Sequence, residues 1–358
     1  MKRVPWSKSK AWRCCDMALT VVVAMSGGVD SSVAAALLKH NGYEVIGAHI
    51  VCWDDCDLKE ERRDALRVAL QLDIELLTFD FRDAYHKQVF DCMIREYAAG
   101  YTPNPDVTCN REIKFGLFRE KALALGADYI ATGHYAKLDN DGSDPRLWEA
   151  SDKAKDQSYF LWAVNRDRLR RVLFPLERLT KSQVRNIARQ FKLPTAEKKD
   201  SQGLCFVGQV DFGYFLRAHI PCRRGVIMDS GGKILGEHDG AFFYTVGQRR
   251  GLGISAKSPY YVAEKDIAAN TLTVGVGPND SILFKKQISV GHLNWLSDFR
   301  SGRCQARIRY RQPKIVAHVT TKGNRAEVIF DTPQRGVASG QSAVFYDGER
   351  VLGGGVIL

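Results

Sequence analysis

The chain has 358 residues, 45% of them hydrophobic and 26% charged, with a formal net charge of +11 and a pI near 9.2. That length supports two or three domains with cores of their own, and the excess of Lys and Arg favours a polyanionic partner. No apolar run approaches the roughly 20 residues of a membrane-spanning helix. Nine cysteines are too sparse for a disulfide scaffold, so a reducing, cytoplasmic setting is expected.

The first 18 residues carry Lys2, Arg3, Lys8, Lys10 and Arg13 against Asp16 alone. They read as a basic tail ahead of a second start at Met17, with a mitochondrial targeting segment as the alternative. An apolar run then ends at Met25 and breaks into Ser26-Gly27-Gly28, and Asp30-Ser31-Ser32 opens an Ala- and Leu-rich stretch. This predicts a strand, a tight turn and a helix N-terminus. Glycines let backbone N–H groups turn inward, and the helix start adds unpaired donors and a positive dipole end. The turn therefore suits an anion, pyrophosphate first, although an ordinary strand–turn–helix corner would share its texture. No Gly-Lys-Ser/Thr follows, which disfavours a Walker-type kinase or GTPase.

Residues 45–51, 74–81 and 129–132 read as buried parallel strands, and 32–40, 60–72 and 84–98 as connecting helices. Such alternation implies a parallel sheet covered on both faces, with its ligand at the carboxyl ends of the strands. Between them, YTPNPDVTCN at 101–110 reads as a rigid proline-punctuated loop that sets Asp106 close to Cys109. A helical pattern covers 166–172 and 180–191, the second with Thr180 as its N-cap. A second thiol, Cys205, lies between Gly203 and Gly208, flanks that suit a swinging loop. Either cysteine alone is more often a small buried hydrophobe than a catalyst.

From 223 onward, short apolar runs separated by Gly- and Asp-rich turns predict an all-β barrel that ends in a hairpin around Asp347-Gly348. Within it, 302–311 would, as a strand, set Arg303, Arg307, Arg309 and Arg311 on one acid-free face that suits a phosphate backbone. His49, Cys52 and Cys56 are a poor match to structural zinc spacings. The expected domains are thus a tail over 1–18, an α/β parallel-sheet domain over 19–164, a small helical domain over 165–222 and a β-barrel over 223–358.

SGGVDS resembles the PP-loop of ATP pyrophosphatases. With TPNPDVTCN and DSQGLCF following in that order, the chain closely resembles the tRNA-specific 2-thiouridylases. The match continues through ATGHY at 131–135, KDQS at 155–158, FPL at 174–176, YTVGQR at 244–249, RIRYRQ at 307–312 and GQSAVFY at 340–346. The resemblance implies an adenine nucleotide alpha hydrolase-like PP-loop domain and ATP-dependent conversion of the tRNA wobble uridine to 2-thiouridine. It implies a persulfide on Cys205, a transient Cys109–Cys205 disulfide, and Asp106 as general acid/base, with Asn104, Pro105 and Asp106 around the target base. ATP, with Mg²⁺, would be held by Ala24, Met25, Ser26, Gly27, Gly28, Val29, Asp30 and Ser31, and by Ile50 and Gly133. Contacts to tRNA would come from His134, Lys155, Asp156, Gln157, Arg309, Tyr310, Arg311 and Gln341. A sulfur-donor protein would be a further partner, and a monomer with no membrane association is expected. HIVCW stands at 49–53 where the relatives have FMKNW, which leaves Ile50 a backbone contact alone. A PP-loop ligase of the argininosuccinate- or lysidine-synthetase kind is the alternative enzyme, and a non-catalytic tRNA-binding protein the alternative from another class.

Overall fold

The structure is a computed structural model that describes residues 18–53, 57–140, 144–199, 212–254 and 258–358. Cys205, Cys56 and the basic tail lie outside the described residues. The chain divides into two compact units, one from residues 1–80, 114–158 and 164–201, the other from 81–113, 159–163 and 202–358.

In the first unit, strands β1 (Thr20–Ala24), β2 (Glu44–Val51), β3 (Glu75–Asp80), β4 (Tyr129–Ala131) and β7 (Val172–Leu173) form one sheet in the order β3-β2-β1-β4-β7. Every pairing in it is parallel. A short antiparallel hairpin of β5 (Lys137–Asp139) and β6 (Arg146–Trp148) also belongs to this unit. Val21, Val22 and Val23 are each at most 1% exposed, as a central strand covered on both faces requires. Helix Val29–His40 buries Val33 to Leu38 against the sheet.

The helix Lys181–Gln190 starts at the predicted cap, with a full capping box between Thr180 and Gln183. Its Val184 and Ala188 share one core with Val21 and Val33, as do Leu193 and Ala196 beyond it. Residues 165–199 therefore do not bury a core of their own as the predicted small domain would. Their apolar face is completed by the parallel-sheet unit, and Val172–Leu173 adds a strand to that sheet.

In the second unit, the β-rich region predicted as one barrel forms two sheets. The first has order β10-β11-β8-β9, from β8 (Gly225–Asp229), β9 (Ile234–His238), β10 (Tyr260–Asp266) and β11 (Thr271–Val276), around a core that includes Ile227, Val262 and Leu272. The second is built from β12 (Phe284–Trp295), β13 (Gly302–Arg307), β14 (Ile315–Lys322), β15 (Arg325–Arg335), β16 (Ser342–Asp347) and β17 (Arg350–Ile357). They run β12-β15-β14-β13-β16-β17, and β12 pairs again with β17, so this barrel is closed and antiparallel throughout. The hairpin is present with Asp347 opposite Arg350, so its turn is Gly348-Glu349, one residue later than read; Gly348 has φ +56°.

Burial at Lys265, whose Nζ donates to the Tyr244 carbonyl at 2.8 Å, lowers its pKa from 10.5 to about 8. Between those values the folded protein holds fewer protons than the unfolded chain, so the cost of burying the charge is relieved as pH rises. The stability deficit of the wild type relative to Lys265→Met is expected to shrink by about 2 kcal/mol between pH 7.5 and 10 in urea unfolding.

Candidate active site

β1 feeds the glycine turn directly. The Met25 N–H donates to the Ala48 carbonyl of β2 at 2.8 Å, which carries the sheet one residue past the strand end. Gly27 has φ +71°, and a Cβ there would lie 2.3 Å from the Glu61 carbonyl oxygen. Gly28 is the extended N-cap of helix Val29–His40 and supplies no side-chain acceptor to the first-turn N–H groups. Those donors, with the helix dipole behind them, are of the kind that suits an anion. Ser31 and Ser32 hydroxyls donate back to the Gly28 carbonyl at 3.1 and 2.7 Å, and the Ser26 N–H donates to Ser31 Oγ at 3.3 Å. Gly133, after β4, closes one side: a Cβ there would sit 2.7 Å from the Ser31 nitrogen. Two backbones meet there at a distance that only a glycine allows. Ile50 is buried in β2, two residues past Ala48 and opposite Phe79.

Sequence reasoning named Asp30 and Gln157 but missed the polar network that joins them behind this turn. His49, 1% exposed, places Nδ1 3.0 Å from the Met25 carbonyl. Burial lowers its pKa, so the ring is neutral and the hydrogen bond assigns the proton to Nδ1. Asp30 accepts from the Tyr135 hydroxyl at 2.8 Å and from Lys181 Nζ at 2.8 and 2.7 Å. Tyr135 in turn exchanges bonds with Gln157: its N–H donates to Gln157 Oε1 at 3.0 Å, and the Gln157 N–H donates to its carbonyl at 2.7 Å.

The acid and thiol at 101–110 lie in the second unit. The sequence predicts a loop, but Asn104-Pro105 starts a helix, Pro105–Cys109. Asn104 is the N-cap, its side chain accepting from the Val107 N–H, and Pro105 takes the first helical position, where its missing N–H costs nothing. Asp106, in the first turn, is half-buried, and Cys109 at the far end is 0% exposed. Asn110 Nδ2 donates to the Phe160 carbonyl at 3.1 Å. The segment is fastened to the closed barrel: the Thr102 N–H donates to the Ser339 carbonyl at 2.8 Å, and Gln341 Nε2 to the Thr102 carbonyl at 2.8 Å.

The residues that the resemblance assigns to tRNA are placed less uniformly. His134 is 8% exposed, hydrogen-bonded to Thr132 at 2.7 Å and walled by Phe115 and Phe174; burial and Lys114 push its pKa well below the usual value. Asp156 is 4% exposed, and its carboxylate shapes its own loop by accepting from the Ala150 N–H at 2.9 Å and the Ser158 hydroxyl at 2.9 Å. Lys155 and Gln157 are half-buried on the same loop. The predicted arginine row is interrupted. The strand ends at Arg307, and Arg311 has φ +64° in the turn that follows. Arg309 donates to the carbonyls of Val246 and Gly336, and Arg303 meets an acid from another strand, Asp331, at 3.2 Å. Tyr310 packs on Phe160 with ring centroids 4.5 Å apart, under the Arg311 guanidinium.

A model of the tRNA methyl transferase HUP domain matches residues 19–209. A tRNA methyl transferase PRC-barrel domain model matches 213–276, and an aminomethyltransferase beta-barrel domain model matches 285–357. The protein named tRNA-specific 2-thiouridylase MnmA from Bacillus subtilis (strain 168) is 47% identical over 350 residues, 94% of each chain. Its namesakes from Geobacillus thermodenitrificans (strain NG80-2) and Streptococcus thermophilus (strain ATCC BAA-491 / LMD-9) are 45% and 44% identical, again over 94% of each chain. The chain belongs to the tRNA-specific 2-thiouridylase family. Membership of the 2-thiouridylases accounts for the three-part architecture: a parallel sheet bearing the glycine turn, a four-stranded sheet where the PRC-barrel model matches, and the closed barrel after it. Lys181, bonded to Asp30 just after the glycine turn of this 2-thiouridylase, was not singled out in the sequence, and only its place after the Thr180 cap could have flagged it.

Proposed function

We propose that this chain uses ATP to replace the 2-oxygen of the tRNA wobble uridine with sulfur. The observation that carries the proposal is the glycine turn at a helix N-terminus, in a chain 47% identical to a named 2-thiouridylase. A uracil 2-carbonyl has no leaving group. Attack of its oxygen on the α-phosphate expels pyrophosphate and converts that oxygen into part of AMP. The outer sulfur of a Cys205 persulfide then forms a bond to C2, and AMP departs with the oxygen. Cys109 attacks the Cys205 sulfur, releasing 2-thiouridine and leaving a Cys109–Cys205 disulfide for a thiol reductant to reopen. Asp106, two residues into the helix that ends at Cys109, is the group we assign to proton transfer, with Asn104 and Pro105 beside the base.

Mg²⁺ would travel with ATP, held mainly by the phosphates. The other substrates are tRNA and a sulfur-donor protein, and we assign a monomer in the cytoplasm. No helix among the described residues is long and apolar enough to cross a membrane. Methyl transfer, the reaction in the descriptions of two matched family models, would require neither a pyrophosphate turn nor two thiols.

The test is nucleoside mass spectrometry of unmodified tRNA after incubation with the protein, ATP and a persulfide donor. A 2-thiouridine that needs ATP is the expected result. Pyrophosphate release with a nitrogen-bearing or methylated base would sink the proposal.

A further inference from the structure

The first unit gathers arginines from two segments around too few acids. Residues 166–171, RDRLRR, form a 3₁₀-helix, Arg166–Arg171, whose Asn165 cap accepts from the Asp167 N–H at 2.8 Å. Leu169, its one apolar residue, is 0% exposed and anchors it, and Asn140 Nδ2 donates to the carbonyls of Leu169 and Val172 at 3.4 Å. A 3₁₀-helix repeats every three residues, so Arg168 and Arg171 leave it on one side, about 6 Å apart along the axis. Arg168 reaches Glu120 at 3.2 Å in helix Phe118–Ala124, which brings Arg119 of that helix to the same place. Burial and the charges of Arg168 and Arg171 lower the Arg119 pKa, and its Nε is buried with no hydrogen-bond partner. Arg170 pairs with Asp167 at 3.1 Å and Arg166 with Asp144, but among the described residues Arg119 and Arg171 have no ion-pair partner. Like charges held together in this way oppose folding, and a local conflict with no local gain marks a functional position.

We propose that Arg119, Arg168 and Arg171 form a phosphate-binding patch for the tRNA backbone, in addition to the contacts that the resemblance assigns. The 3₁₀-helix exposes no apolar side chain, whereas a protein partner would need an apolar centre to pack against. A polyanion needs only the guanidinium groups, each of which can take two phosphate oxygens at once. The separation of Arg168 and Arg171 is also comparable to that of successive phosphates along an RNA strand. The inference rests on the tRNA reading above and adds residues that none of the motifs shared with the 2-thiouridylases contains.

Filter binding of unmodified tRNA across a series of salt concentrations tests it. Arg119→Gln combined with Arg171→Gln is expected to weaken binding about tenfold near 0.1 M KCl and to make the plot of log K against log salt shallower by about 1.5. Arg171→Gln alone changes only an exposed side chain and is expected to make the plot shallower by about 0.8. Lysine at both positions keeps the charge and is expected to restore the slope. Lys192→Gln, which removes another exposed charge of the same unit, should leave it unchanged. Calorimetric ATP affinity should stay at the wild-type level in every variant. A double variant with the wild-type slope would overturn the inference, and so would an equal effect of Lys192→Gln, which would report net charge alone. Unchanged tRNA binding with slower sulfur transfer from a donor protein would overturn it too, by giving the patch to that partner. A wild-type chain that binds no tRNA would remove the tRNA reading itself, and the patch with it.

Discussion

Replacing Gly27 with alanine is expected to destroy nucleotide binding and to destabilise the first unit as well. The residue sits at φ +71°, which costs a residue with a Cβ about 1–2 kcal/mol. The new methyl would lie 2.3 Å from the Glu61 carbonyl oxygen, 2.9 Å from its carbon and 3.0 Å from its Cα. All three atoms are backbone, so no side chain can rotate aside. Relief requires the turn to move away from residue 61, and that swings the first-turn N–H groups of Val29–His40 off the anion. The total is about 3 kcal/mol or more. A lowered urea midpoint together with at least a hundredfold loss of ATP affinity by calorimetry is the expected pair of results. Unchanged ATP affinity would show that the phosphates lie elsewhere.

Cys109→Ala should abolish product while sparing the first chemical step. The side chain is 0% exposed, so alanine deletes a sulfur without adding volume, and the fold should lose only about 1 kcal/mol. In the proposed mechanism adenylation depends on the glycine turn and not on Cys109, so tRNA-dependent pyrophosphate release should continue for at least one turnover. With a persulfide donor and no Cys109, the base should remain joined to Cys205 through a disulfide. Mass spectrometry of the quenched reaction would detect that adduct. Full turnover of 2-thiouridine by this variant would instead show that an external thiol resolves the intermediate, and the role assigned to Cys109 would go.

The parts of this molecule that could be read in advance are those whose cause is local. Val21 to Val23, the glycine turn and the Thr180 N-cap each follow from a few neighbouring residues, and each stands where the pattern put it. Where the reading failed, a distant partner or a competing local motif decided. Lys181 meets Asp30 across 151 residues, and nothing in either neighbourhood announces the pair. The alternation of Arg and apolar residues runs on past Arg307 in the sequence, but the strand does not. Arg309 finds carbonyls at Val246 and Gly336, and the backbone turns at Arg311. Two prolines suggested a loop at 101–110, yet an Asn before a Pro is also a helix start, and that reading won. Turn spacing revealed that the second half is β, but not that its strands divide into two sheets, since closure depends on β12 finding β17.

That closure shapes how the last domain can evolve. In the ring from β12 to β17 each strand pairs with two others of the ring, so most of the main chain is consumed internally and little strand margin is left within it. Most of what it grips it must grip by the side chains that point outward. Such positions can be exchanged one at a time without opening the cylinder, so preference among related substrates can drift there while the scaffold stays constant.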